Sequence, residues 1–298
     1  MKKKILAVMA MAVITTLAFT GCGNTDNSND STSGGDAAAT SMTGTISVIS
    51  REDGSGTRGA FVELMGVMDE DENDITVQTA EITNSTSVML QTVSQNEKAI
   101  GYVSLGSLSS DVKAVQIDGV DATTDNVKSG TYKVSRPFNI CYKEEELTDL
   151  DKDFISYIMS EEGQAIVTEE GYISLEAEGS YTGSGQKGKI TLAGSTSVAP
   201  LMDKIKDAYV ALNPDVTIEI QESGSSAGIQ SATEGAAQIG MSSRELKDEE
   251  LSAGLTSKQI AMDGIAVIVN NNNPLTNLTS DQVKSIYTGD VTEWDDVK

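Results

Sequence analysis

The feature that most constrains the fold is an alternation between short apolar runs of strand character and amphipathic stretches of helical period. Strand-like runs occur at TISVIS, AIGYVSL, FNICY, KITLAG, VTIEI, QIGM and GIAVIV. Between them, apolar residues from Val198 to Leu212 recur at helical spacing and predict one helix with a buried stripe. TDLDKDFISYIMS predicts another, with Thr148 as N-cap and Asp151 three residues later. Strands separated by helices predict an α/β architecture with mainly parallel sheets.

The first 21 residues have the form of a secretory signal peptide. Three consecutive lysines precede an apolar run from Ile5 to Phe19, which ends in TGC. The run is short for a helix that spans a bilayer, and LAFTGC resembles a lipobox, in which Cys22 is acylated and becomes the new N-terminus. A non-lipidated secretory peptide with a chance cysteine is the alternative.

From Gly23 to Gly44 the chain consists, apart from Met42, of Asn, Asp, Ser, Thr, Gly and Ala, with almost nothing to bury. Residues 22–43 are therefore expected to form a disordered tether. We expect a domain anchored by lipid to the outer face of the cytoplasmic membrane. Removing residues 1–21, which contain three lysines and no acid, makes the formal charge three units more negative than -24. Such a charge argues against nucleic acid as a partner.

The body from Gly44 to Lys298 is long enough for one large domain or two modest lobes. Cys141 is its only cysteine, so no disulfide is expected within it, and we interpret Cys141 as a small buried apolar residue. The sequence has no histidine, which removes the usual general base, the Ser-His pair and most transition-metal sites. We therefore expect no enzyme, no metal and no cofactor.

Three junctions between a strand and a helix share one chemistry. They are rich in Gly, Ser and Thr and lie at Gly54–Thr57, Gly194–Ser197 and Gly224–Gly228. The beginning of a helix leaves amides unpaired and carries partial positive charge, and small residues let an anion approach. The alternative is that Ser, Thr and Gly here are only N-caps and turn formers. Because three junctions agree and Arg51 lies beside one of them, we favour an anion site.

The loop SREDGSGTRG also fits a second interpretation. Gly54, Gly56 and Gly59 have the G-x-G-x-x-G spacing of a dinucleotide-binding turn. In such a turn the glycines follow the strand directly, whereas REDG intervenes here and presents Arg51. Export also separates the chain from nicotinamide pools. A single tetrahedral oxyanion is the preferred ligand of this loop.

Six segments together resemble the phosphate-binding proteins of phosphate ABC transporters, which are two-lobed type II periplasmic binding proteins. They are GSTSVAPLM, ESGSSAGIQ, QIGMSSREL, TSDQVKSIYTGDVTEWDDV, SREDGSGTRGAF and KSGTYKVSRPFNI. The resemblance implies a monomer that captures inorganic phosphate in a cleft between lobes and delivers it to permease subunits. Another oxyanion such as sulfate, molybdate or tungstate, or a sensing lipoprotein without a transport role, are alternatives. A secreted phosphatase would need a metal cluster or an activated nucleophile.

The order of these segments differs from the family pattern, in which the segment resembling GSTSV opens the chain. This order is what a circular permutant would show, with residues 178–189 joining the family's old ends. A truncation of two tandem copies is the alternative. The expected organisation is one lobe from residues 44–110 and 275–298, and the other from residues 111–274.

The resemblance also implies which residues contact the anion. Asp53 matches an acid that holds the arginine in the family, and Arg58 and Arg244 are expected to be exterior charges. Ser243 stands where well-studied members have an aspartate that accepts from protonated phosphate and repels sulfate, so phosphate selectivity depends on whether Glu245 or Glu222 supplies an acceptor. The expected anion contacts are Arg51, Ser55, Gly56, Thr57, Thr196, Ser197, Ser225 and Ser243.

Overall fold

The computed structural model describes residues 42–297. The expected signal peptide, Cys22 and nearly all of the expected tether lie outside these residues. The described helices are α1 (Gly56–Leu64), α2 (Thr86–Gln95), α3 (Thr124–Lys128), α4 (Asp149–Ile158), α5 (Glu161–Glu169), α6 (Ala199–Leu212), α7 (Ser225–Thr233), α8 (Asp248–Ser252) and α9 (Ser280–Thr288). None of the helices in this range is long and apolar enough to span a bilayer.

The strands form a nine-stranded mixed sheet and a separate two-stranded one. They are β1 (Ser47–Arg51), β2 (Glu81–Thr83), β3 (Ala99–Ser104), β4 (Val112–Ala114), β5 (Gln116–Ile117), β6 (Ser135–Tyr142), β7 (Gly188–Gly194), β8 (Val216–Glu222), β9 (Ile239–Ser242), β10 (Thr256–Asn270) and β11 (Asn277–Leu278). The large sheet has the order β2-β1-β3-β10-β6-β9-β7-β8, with β4 also paired to β10.

Pairing is parallel in the outer parts of the large sheet and antiparallel at its centre. Strand β1 is parallel to β2 and β3, and β7 is parallel to β8 and β9. Strand β10 is antiparallel to β3, β4 and β6, and β6 is antiparallel to β9. The α/β class is as expected, but the strand and helix alternation did not predict the antiparallel centre.

The long strand β10 connects two parts of the molecule. Its residues Thr256–Gly264 pair with β6, and its residues Ile265–Val269 pair with β3. The main hydrophobic cores change at the same place: one core uses residues from Phe138 to Ala261, and the other uses residues up to and including Val134 and from Ile265 onwards. We call residues 46–134 and 265–297 the first half, and residues 138–261 the second half.

Each half is layered, because its part of the sheet has core on both faces. In the first half, Ile100 and Tyr102 of β3 face one core, while Ala99 and Val103 face the other.

The expected lobe boundaries at 110/111 and 274/275 do not coincide with the change of core. Val115, Ile117 and Leu278 belong to the core of the first half, so β5 and β11 pack there together.

Local sequence signals correctly predicted the start of α4 and the buried face of α6. The capping box of Thr148 and Asp151 begins α4, and the buried residues of α6 include Leu201, Met202 and Ile205 of the expected stripe. The expected joining segment 178–189 is docked on the second half. The Asp153 carboxylate accepts hydrogen bonds from Tyr181 at 2.6 Å and Ser184 at 2.7 Å.

Candidate oxyanion-binding site

The three Gly- and Ser-rich junctions converge where the two halves meet. The hydroxyls of Thr57 and Ser197 lie 2.8 Å apart, and the Ser226 amide donates to the Gly54 carbonyl at 3.0 Å. Arg51 Nη2 donates to Thr196 Oγ1 at 3.0 Å. Each of these contacts joins the first half to the second. The expected convergence of separate helix beginnings is therefore present in the structure.

The cluster is buried and polar. Arg51 keeps only 2% of its surface exposed, although arginine is rarely buried without partners. All the expected anion contacts lie in the buried part of the chain: Arg51, Ser55, Gly56, Thr57, Thr196, Ser197, Ser225 and Ser243. A concentration of hydroxyls around a guanidinium provides many hydrogen-bond donors, which suits a small anion.

Helices α1 and α7 both begin at the cluster. Helix α1 starts at Gly56 after the N-cap Ser55, whose hydroxyl accepts from the Arg58 amide at 3.3 Å. Helix α7 starts at Ser225, after Gly224 with a φ of +86°. Their first amides point along the helix axes towards the cluster, where the helix dipole favours negative charge.

Gly56 permits the close approach of the two halves. A Cβ added there would lie 2.3 Å from Ser225 Oγ and 2.7 Å from Ser243 Oγ, both in the second half. Such distances are below van der Waals contact, so any side chain at this position displaces one of these hydroxyls. Glycine is required here because these hydroxyls approach so closely. Its backbone conformation does not require glycine, since its φ is not in the left-handed region.

The acid that holds Arg51 is Glu52 and not Asp53. Both carboxylate oxygens of Glu52 accept from the Arg51 guanidinium, each at 2.8 Å. Asp53 is 96% exposed in its side chain and pairs with Arg58 at 2.8 Å. Asp53 lies in the turn beyond β1, where its side chain faces solvent and the first turn of α1. The prediction that Asp53 orients Arg51 is therefore wrong.

Thr86 is a site residue that sequence reasoning missed. It is the first residue of α2, and its buried hydroxyl lies 3.1 Å from Ser197 Oγ and 3.3 Å from Thr196 Oγ1. Arg51 Nη1 donates to the same hydroxyl at 3.5 Å. A Ser-Thr pair at a helix start was the available signal, but TNSTS has no glycine and follows a strand of only three residues.

A second buried arginine, also missed, lies beside the cluster. Arg136 of β6 faces Asp263 of β10 in the antiparallel register, and Arg136 Nη2 donates to Asp263 Oδ2 at 3.1 Å. Arg136 Nη1 donates to Thr57 Oγ1 at 2.7 Å and to the Ser243 carbonyl at 3.0 Å. Burial raises the pKa of Asp263 and lowers that of Arg136, and the attraction between the two charges opposes both shifts.

The hydroxyl of Ser243 has only other hydroxyls as partners within the described residues, those of Ser195 and Ser225. The Ser243 hydroxyl accepts from Ser195 Oγ at 2.9 Å, and the Ser243 amide donates to Ser225 Oγ at 3.1 Å. Glu245 and Glu222, the two acids considered as substitutes for the missing aspartate, are exposed and make no hydrogen bond to Ser243. Neither acid supplies an acceptor at this position.

A cavity of about 1070 Å³ adjoins the cluster, lined by Ser55, Arg136 and the segment 244–249 among others. Arg58 and Arg244 line it too, and both are held by acids. Arg58 Nε lies 2.6 Å from Asp74, and Arg244 Nη2 lies 2.7 Å from Glu250. Across residues 42–297, no group of three or more His, Cys, Asp or Glu side chains is arranged to hold a metal ion.

Comparison with known proteins agrees with this geometry. A family model described as a PBP superfamily domain matches residues 23–162 and 179–298. Phosphate-binding protein PstS 2 of Streptococcus agalactiae is 49% identical over 301 residues, which cover 99% of each chain. This chain belongs to the PstS family of phosphate-binding proteins. Phosphate-binding protein PstS 2 of Streptococcus pneumoniae is 44% identical to this chain over 302 residues, which cover 100% of each chain.

A solved structure also resembles this PstS-family chain. It is the phosphate-binding protein of a phosphate ABC transporter from Streptococcus pneumoniae, with a TM-score of 0.69 and 48% identity. The match covers 86% of this chain and 100% of that one. The family and the type II binding-protein fold expected from the six segments are thereby confirmed. Circular permutation is not confirmed, because the match to the Streptococcus agalactiae protein runs along nearly the whole of both chains in one order.

Proposed function

We propose that this protein captures inorganic phosphate between its two halves and delivers it to the permease subunits of an ABC importer. The observation that carries the proposal is the buried contact of Arg51 with a hydroxyl of the opposite half, that of Thr196, at 3.0 Å. Membership of the PstS family supports the same ligand. The guanidinium neutralises the anion, and the helix starts and hydroxyls supply the remaining donors.

Capture and release by this mechanism need a change of shape and no covalent chemistry. The two halves act as lobes joined through β6 and β10, with boundaries at residues 134–138 and 261–265, where the cores change. Closure around the anion creates the surface that a permease recognises. Surface charges more than about 8 Å away are screened at physiological salt, so the negative net charge does not prevent binding.

The protein acts as a binding protein and not as an enzyme. It contains no histidine, and the relatives above are named as binding proteins. Turnover of a phosphomonoester by the purified protein, at a rate that falls with substitution of Arg51, would contradict this assignment.

The protein works as a monomer on the outer face of the cytoplasmic membrane, attached through lipid on Cys22. The lipobox-like LAFTGC and the tether after it support this location. Replacing Cys22 by serine is expected to move the protein from the membrane fraction to the soluble exported fraction. Retention of the variant in the membrane fraction would contradict lipid anchoring.

The order of segments arose by circular permutation. The paired beginning and end of the described chain support this, since the Trp294 amide donates to the Gly44 carbonyl at 2.9 Å and Thr45 bridges to Glu293. A variant that joins residue 298 to residue 44 and opens the chain within 178–189 is expected to fold and bind phosphate. A variant that remains unfolded would contradict the proposal.

Calorimetric titration of the purified protein with phosphate, sulfate, molybdate and tungstate tests the ligand. We expect one phosphate per chain and the tightest binding for phosphate. Binding of sulfate with equal or greater affinity would favour a second candidate, a general oxyanion carrier. The presence of Ser243 without a neighbouring free carboxylate supports that candidate, because a hydroxyl accepts a proton donor but does not repel a fully ionised anion.

A further inference from the structure

Arg136 reaches both halves from the strands that connect them. Its guanidinium contacts Thr57 of the first half at 2.7 Å and the carbonyl of Ser243 in the second half at 3.0 Å. Asp263 anchors the opposite edge of the guanidinium and is itself held by the Ser104 hydroxyl at 3.0 Å. Arg136 and Asp263 are both almost completely buried. The arginine is therefore fixed in place before any ligand arrives.

The contact with Thr57 sets the direction of a hydrogen-bond chain. A guanidinium only donates, so Thr57 Oγ1 must accept from Arg136. The positive charge favours the orientation in which the Thr57 hydroxyl hydrogen points away from Arg136 and into the cluster. There the hydroxyl faces Ser197 Oγ at 2.8 Å. An anion that enters the cluster then meets this hydrogen already oriented as a donor.

We propose that Arg136 is a positioning residue of the oxyanion site, which orients the Thr57 hydroxyl towards the bound anion. The inference rests on the proposed phosphate-binding function. Arg51 neutralises the ligand directly, whereas Arg136 acts through Thr57. A low-dielectric surrounding strengthens such a chain, because each hydrogen bond polarises the next.

A double-mutant cycle measured by phosphate calorimetry tests this role. Arg136→Met is combined with Asp263→Asn, because removing only one charge of a buried pair leaves the other uncompensated. This pair variant and Thr57→Val are each expected to weaken phosphate binding by about 10- to 100-fold, the range for one charge-assisted hydrogen bond. The pair change is expected to have no further effect in the Thr57→Val background. Thr57→Ser, which keeps the hydroxyl, is expected to restore dependence on Arg136.

The outcome separates this inference from the function on which it rests. Independent effects, in which the combined variant loses the product of the two factors, would overturn the role of Arg136 while phosphate binding by the unaltered protein stands. Failure of the unaltered protein to bind phosphate would overturn the proposed function itself. Thermal unfolding of each variant checks that the fold is retained.

A second substitution keeps the test decisive if the pair variant does not fold. Arg136→Lys preserves the charge beside Asp263, but a single ammonium does not match the three-way geometry of the guanidinium. Its loss of affinity is expected in the protein with Thr57 and is expected to disappear with Thr57→Val. An equal loss in both backgrounds would overturn the proposal.

Discussion

The two halves contribute to the candidate site in different ways. The first half supplies the positive charge, through Arg51 held by Glu52, together with the hydroxyls of Thr57 and Thr86. In the second half the cluster contains only uncharged groups, such as Thr196, Ser197, Ser225 and Ser243. Charge neutralisation is thus concentrated on one side and neutral hydrogen bonding on the other. The difference implies that an anion is held by the first half and enclosed by the second.

The largest effect is expected from removing the charge of the first half. Arg51→Met leaves the anion without its buried cationic partner and is expected to weaken phosphate binding by about 2–5 kcal/mol. Lys258→Met in the second half is the matched control, since it changes net charge equally and Lys258 is paired with Glu178 at 2.7 Å, away from the cluster. Calorimetry measures both. Equal losses in the two variants would contradict the division between halves.

A carboxylate introduced into the neutral half is expected to make it selective. Ser243→Asp would accept a hydrogen bond from protonated phosphate but face a fully ionised sulfate without a proton between them. We expect sulfate binding to weaken by about 3 kcal/mol more than phosphate binding, the scale for an unsatisfied buried charged acceptor. Ser243→Asn is the uncharged control. A sulfate-to-phosphate affinity ratio that is unchanged in Ser243→Asp would show that this position does not face the anion.

Contact between the halves is tested by two glycines of one helix. Gly56→Ala places a methyl group against Ser225 and Ser243, and overpacking of this kind costs about 1–3 kcal/mol. Gly59→Ala is the control, because its Cβ would lie 3.5 Å from Arg244 Cδ, an ordinary contact. We expect Gly56→Ala to weaken phosphate binding and Gly59→Ala to leave it nearly unchanged. Comparable phosphate affinity in the two variants would indicate that closure does not bring Gly56 against the second half.

The smallest effect concerns the acid that holds Arg51. Glu52→Ala frees the guanidinium, so binding must restrict its side chain, and we expect a loss of about 1 kcal/mol. Asp53→Ala removes the same charge from an exposed position and is expected to change phosphate affinity by less than about 0.5 kcal/mol. Calorimetry at matched ionic strength compares them. A larger loss for Asp53→Ala would return the orienting role to Asp53.

The sequence was informative where one local pattern carries the chemistry. Gly-, Ser- and Thr-rich turns between a strand and a helix identified the loops at Gly54, Gly194 and Gly224, because helix starts bind anions by a local mechanism. The family resemblance added the individual residues that are predicted to contact the anion. Thr86 was missed because its junction lacks glycine and its preceding strand, β2, is short.

Features that depend on pairing between distant segments could not be predicted from local sequence patterns. Arg136 and Asp263 are 127 residues apart and meet only because β6 and β10 are antiparallel. The boundary between the halves was misjudged for the same reason, since β10 is one uninterrupted strand that serves both cores. The choice of Glu52 over Asp53 depends on how the chain turns after β1, which composition does not determine.

A crystal structure of the protein grown with phosphate tests the central claim most directly. The account predicts one tetrahedral anion enclosed between the halves, with the Arg51 guanidinium and the Thr57 and Ser197 hydroxyls within hydrogen-bond distance of its oxygens. An anion bound elsewhere, with Arg51 still held by Glu52, Thr86 and Thr196, would contradict it.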